Sequence, residues 1–161
     1  MFNLRKRLLG RSSMDRSGPT EQEEHERLQV ATCVLLLEVA KSDDQFSSIE
    51  KATITAILEE EFQLSDEAVA ELMEVAARKR EESVDLWEFT HLINEHYSEE
   101  EKIKVIETVW RVIYADNKLD EYEDYLVHKL AGLLRLRHQE LIAAKLRVLE
   151  ELKPGPAPGR A

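Results

Sequence analysis

Residues 30–40, VATCVLLLEVA, are apolar on nearly every face when wound into an α-helix, and Glu38 is the only charge among them. A helix that is apolar all round must be enclosed, because no side of it can face water. Nowhere does the chain carry a run of about 18 apolar residues, so lipid is not what encloses it. The stretch from about Glu21 to Lys41 is therefore expected to be the most buried element of a helical bundle.

The surrounding sequence supplies further helices. Ser47-Ser-Ile-Glu50 has the form of a capping box, in which the Ser47 hydroxyl accepts a backbone N–H and Glu50 reaches back; Ile49, Ala52, Ala56 and Ile57 follow on one expected face. A third helix starts after Ser65, with Val69, Leu72, Met73 and Ala76 inward. Asp85 caps a short fourth helix containing Leu86, Trp87, Phe89, Leu92 and Ile93. Ser98-Glu-Glu-Glu101 is a second capping box, opening a fifth helix with Ile103, Ile106, Val109, Trp110 and Ile113 inward. The sixth follows Asp120 (Tyr122, Leu126, Leu130, Leu133, Leu134), and the seventh runs from about His138 (Leu141, Ala144, Val148, Leu152). No segment alternates with period two for long enough to make a sheet. The expected fold is all-α: a single bundle of about seven helices, occupying residues 21–152, behind a basic leader (1–20) and ahead of a Pro/Gly tail (153–161).

Composition excludes several functions. At 43% hydrophobic and 34% charged residues, the chain is too apolar for disorder and too charged for a membrane protein. The leader holds Arg5, Lys6, Arg7, Arg11 and Arg16 against Asp15, a balance of +4, so the remainder carries −15 of the total −11. An acidic body repels phosphate backbones, and nucleic-acid binding is not expected. Residues 1–11 can contact an anionic membrane surface or an acidic partner. They lack the apolar run of a secretory signal, so a cytoplasmic location is expected. Only Gly132 of five glycines lies in the folded region, which leaves no phosphate-cradling loop. Cys33, the single cysteine, lies in the apolar helix and is expected to be a buried, inert thiol. No nucleophile–base pair can be named, and the protein is expected not to be an enzyme.

One motif occurs twice, 73 residues apart: SDDQFSSIE at 42–50 and ADNKLDEYE at 115–123. Each follows an apolar helix and precedes an amphipathic one. Asp43 and Asp116 can hydrogen-bond into the turn, and Asp44 and Asn117 tolerate left-handed backbone. Phe46 and Leu119 act as hydrophobic staples, Ser47 and Asp120 as caps, and Glu50 and Glu123 close the boxes. These corners are self-sufficient as structure. If they meet at one end of the bundle, however, carboxylates in close range raise one another's pKa, and a cation relieves that cost. All-oxygen ligation suits Ca2+ or Mg2+. Neither loop is an EF-hand, since from Asp116 the third, seventh and twelfth positions are Lys118, Tyr122 and Val127.

The repeated D-[DN]-x-[LF]-[SD]-x-x-E corner, set in about 130 residues of helices, resembles the TerB-like domain named for bacterial tellurite-resistance proteins. The resemblance spans roughly residues 25–152. It implies about seven helices in two related, pseudo-symmetric halves, and a non-enzymatic accessory protein of bacterial stress response. By position it implies Asp43, Asp44, Glu50, Asp116, Asp120 and Glu123 as ligands of a divalent cation. Ser47 replaces an aspartate in the first copy, and Asp44 and Asn117 stand where a glycine is common. A similar domain fronts DnaJ-type co-chaperones, so an adaptor with purely structural corners, binding a protein partner, is the alternative; no His-Pro-Asp triplet is present. Glu88-x-x-His91 has half-site spacing for a di-iron centre but lacks a second copy, and the His91/Glu95 and Asp124/His128 pairs read as surface hydrogen bonds. Trp87 is expected to be partly exposed, beside a shallow groove.

Overall fold

The computed structural model describes residues 20–40, 48–116 and 121–153, with 48–50 and 116 described in backbone alone. Seven α-helices and one 3-10 turn make up the described chain: α1 (Glu21–Ala40), α2 (Ser48–Phe62), α3 (Asp66–Glu82), α4 (Trp87–His96), α5 (Glu99–Ile113), the turn Tyr114–Asp116, α6 (Glu121–Leu133) and α7 (His138–Leu152). No strand occurs among the described residues, so the fold is the all-α bundle expected. None of these helices is long and apolar enough to cross a membrane.

The bundle is organised around α1. Every residue from Leu28 to Ala40 is buried except Glu38. Helices α2, α3, α4, α5 and α6 all pack on it, and α7 packs on α5. Cys33 lies fully inside, where burial pushes its thiol far above the ordinary range and leaves no reactive thiolate. Trp110 of α5 is also fully buried, and its indole N–H donates to the Leu141 carbonyl at 3.2 Å, which satisfies the one polar atom the ring brings into the core.

Local signals set most helix ends. The Ser65 hydroxyl accepts the Ala68 N–H, the Asp85 carboxylate accepts the Trp87 N–H at 2.9 Å, and Ser98 and Glu101 form the reciprocal box. At the start of α7, Glu140 reaches back to the Arg137 N–H at 2.8 Å. Two helices close on a left-handed residue that is not glycine. Gln63 (φ 53°) and Arg135 (φ 61°) adopt the left-handed conformation, and the following Leu64 and Leu136 donate back to Glu59 and Ala131, which is the Schellman closure. Each left-handed non-glycine residue costs about 1–2 kcal/mol, offset here by the inward leucine that follows it.

Three expectations about inner faces need correction. Ala52 and Ala56 of α2 are exposed, and the buried residues are Ile54 and Leu58, flanked by Ile57 and Phe62. A methyl group has little apolar area to bury, so the branched side chains decide how the helix rotates. Tyr122 is 51% exposed and Leu152 49% exposed, because the described chain places nothing over those ends of α6 and α7.

Truncating Leu35, fully buried in α1, to alanine should cost about 2–5 kcal/mol in urea denaturation, whereas Ala52→Ser should change stability by less than about 0.5 kcal/mol. A pH effect follows from the strap between α5 and α7, in which Arg111 pairs with Glu151 through two hydrogen bonds of 2.8 and 2.9 Å. The guanidinium holds the Glu151 carboxyl below the usual range. A carboxyl whose pKa is lower when folded stabilises fully above its unfolded pKa and loses that contribution as pH falls through the folded one. The melting-temperature gap between wild type and Glu151→Gln should therefore be present at pH 7 and close progressively below about pH 4.3.

Candidate functional site

The two acidic corners continue from the ends of α1 and α5, so the relative direction of those helices decides whether the corners meet. Near their starts the helices are tied by His96, just before α5, whose Nε2 lies 2.7 Å from Glu24 in the first turns of α1. Farther along, a groove of about 210 Å³ is lined by Thr32 and Leu36 of α1 together with Val105 and Thr108 of α5. Helices that are neighbours at their starts and again three turns on run side by side in the same direction. Both therefore head for one pole of the bundle.

Neighbouring contacts point to the same pole. Helix α2 packs on the 3-10 turn that ends at Asp116. Arg80 of α3 grips Glu38, two residues before the end of α1, with Nε and Nη2 donating to the two carboxylate oxygens at 2.9 and 3.1 Å. Its Nη1 donates to the Ser83 carbonyl at 3.2 Å. Tyr122, in the first turn of α6, lies close enough to help raise the Arg80 pKa, although the Glu38 hydrogen bond is the larger cause. This arginine thus ties the end of α1 to the end of α3.

Of the six expected ligands, Asp43, Asp44 and Asp120 lie outside the described residues. Glu50 is in the first turn of α2 and Asp116 closes the 3-10 turn, both described in backbone alone. Glu123 is a buried carboxylate, 5% exposed, in the first turn of α6. Among the described residues, no group of three or more His, Cys, Asp or Glu is arranged to hold a metal ion.

The other pairs behave as surface contacts. His91 stacks on Trp87 at 4.4 Å and lies 3.4 Å from Glu95, while Glu88 turns away to accept the Ser83 hydroxyl. The His128 ring nitrogen Nδ1 meets the Asp124 carbonyl at 2.7 Å. Trp87 is 57% exposed, as expected. Sequence reasoning did not single out Glu26, buried at 3% exposure in α1, or the Glu38–Arg80 pair. The isolated Glu38 in an apolar stretch was the available signal for the latter, since a charge in such a setting needs a partner.

Residues 29–146 match the family model of tellurite resistance protein TerB. The chain belongs to the TerB family. The matched segment begins inside α1, ends inside α7 and contains both acidic corners. Among solved structures, a protein of unknown function from Porphyromonas gingivalis, PG1108, is similar with a TM-score of 0.59. The alignment covers 87% of this chain and 97% of that one at 18% identity, a likeness of fold alone. No curated protein sequence matches.

In this TerB-family domain the Glu38–Arg80 pair joins α1 to α3 close to the end of α1. Glu38→Gln leaves a half-buried guanidinium with a weaker acceptor and should cost about 1–3 kcal/mol in thermal or urea unfolding. Combining it with Arg80→Met should cost less than the two single changes added, as a double-mutant cycle reads directly.

Proposed function

We propose that this TerB-family chain is a non-enzymatic accessory protein of bacterial stress response that takes up a divalent cation, Ca2+ or Mg2+, between its two acidic corners. The observation that carries the proposal is the parallel course of α1 and α5, the helices from whose ends the two corners continue. Two related halves are part of this reading, to which the Glu24–His96 contact, between residues 72 apart, lends support.

The donor set fits a hard cation: Asp43, Asp44, Glu50, Asp116, Asp120 and Glu123 supply carboxylate oxygens only. Arg80 directs its donors to Glu38 and Ser83. In such a site the corner carboxylates hold the ion, and the ion removes their mutual repulsion and ties the start of α2 to the start of α6. Exposed Trp87 and Val84 favour a second role, contact with a protein partner in the manner of an adaptor.

Calorimetric titration of the full chain with CaCl2 and MgCl2 tests the cation site. Saturable heat is expected, with a rise in melting temperature equivalent to about 2.7 kcal/mol at a hundredfold excess over Kd. Asp116→Asn should abolish both signals. Absence of heat and of any melting shift at millimolar cation overturns the proposal and leaves the corners as structural turns.

A further inference from the structure

A second pocket, of about 200 Å³, opens between α1, α3 and α4 and is lined by Arg27, Val30, Lys79, Glu88, Phe89 and Leu92. Its floor is apolar: Val30 and Phe89 are buried and Leu92 half-buried. Its rim carries two cations and one carboxylate, a local reversal of sign on a chain of net charge −11. Arg78, Arg80, Arg111, Arg137 and Arg147 all pair with glutamates. By contrast, no side-chain hydrogen bond or ion pair engages Arg27 or Lys79 among the described residues. Glu88 is engaged from the α3–α4 connection by the Ser83 hydroxyl.

Size and charge together choose the occupant. At about 30 Å³ per water-sized group, the pocket takes roughly six or seven such groups, enough for one short chain. A partner helix would need a row of apolar sites spaced over several turns, and this single floor does not offer one. Cations over an apolar floor select an anionic head on an apolar tail, and two flanking donors suit a carboxylate. We propose that the α1/α3/α4 pocket binds a medium-chain amphiphilic carboxylate, with its tail on Val30, Phe89 and Leu92 and its head between Arg27 and Lys79. This site is separate from the acidic corners and stands whether or not they hold a cation.

The test is titration of the full chain, with labelled methyl groups, by octanoate at low salt and below its micellar concentration. Saturable shifts are expected at the Val30 and Leu92 methyls. Arg27→Gln combined with Lys79→Gln should weaken binding tenfold or more with little change in melting temperature, because both side chains lie at the rim. Glu88→Gln should tighten binding, and it checks the same electrostatics without removing a cation. Octanol and octylammonium should bind at least tenfold more weakly than octanoate. Non-saturating shifts, octanol binding as tightly as octanoate, or unchanged affinity in the double variant would each overturn the proposal.

Discussion

The enclosure of α1 is the constraint on which the rest of the structure depends. Its face-to-face apolar character leaves solvent on no side from Leu28 to Ala40, apart from Glu38, so five other helices must arrange themselves around it. That requirement sets the directions of the outer helices and thereby the positions of their connections. The parallel course of α5 follows from how it lies along this central rod. Polar contacts toward either end, Glu24 with His96 and Glu38 with Arg80, add direction to a packing that is otherwise non-directional.

Electrostatics in this molecule are local arrangements on an acidic background. Arg111–Glu151 and Arg147–Glu107 join α5 to α7 across the outer surface, where solvent weakens each pair. Glu38–Arg80 is less exposed and correspondingly more consequential, because a buried partner left alone is costly. The result is an acidic body with its cations mostly matched to carboxylates, against which the rim of the α1/α3/α4 pocket stands out.

How much of this was legible in the sequence depended on how local the determining physics is. Ser65, Asp85 and Ser98 act on backbone groups two or three residues away, and their roles were readable directly. So were the burial of Cys33 and Trp110, which apolar surroundings demand. The rotation of α2 was misjudged because Ala52 and Ala56 were weighed like larger side chains, while Ile54 and Leu58 command the interface. Tyr122 and Leu152 were placed inward because helical periodicity cannot say whether a neighbour reaches the end of a helix. Glu38 and Arg80 are 42 residues apart, and no short-range pattern links them. For the candidate site, the duplicated motif was visible as a motif. The direction of the helices that lead into its two copies is a tertiary property, carried by contacts such as Glu24–His96 that no window of sequence contains.

The order of helices along the chain has a consequence for biosynthesis. The rod at the centre of the bundle leaves the ribosome ahead of every helix that later covers it. About 70 further residues, roughly 4–15 s of translation at 5–20 residues per second, must follow before the end of α5 is made. During that interval a stretch of leucine and valine has only part of its native cover, from α2, α3 and α4 as each is completed. Its charged first turns and Glu38 are then the only local features that oppose self-association. The design thus makes its most apolar element first and completes its cover last.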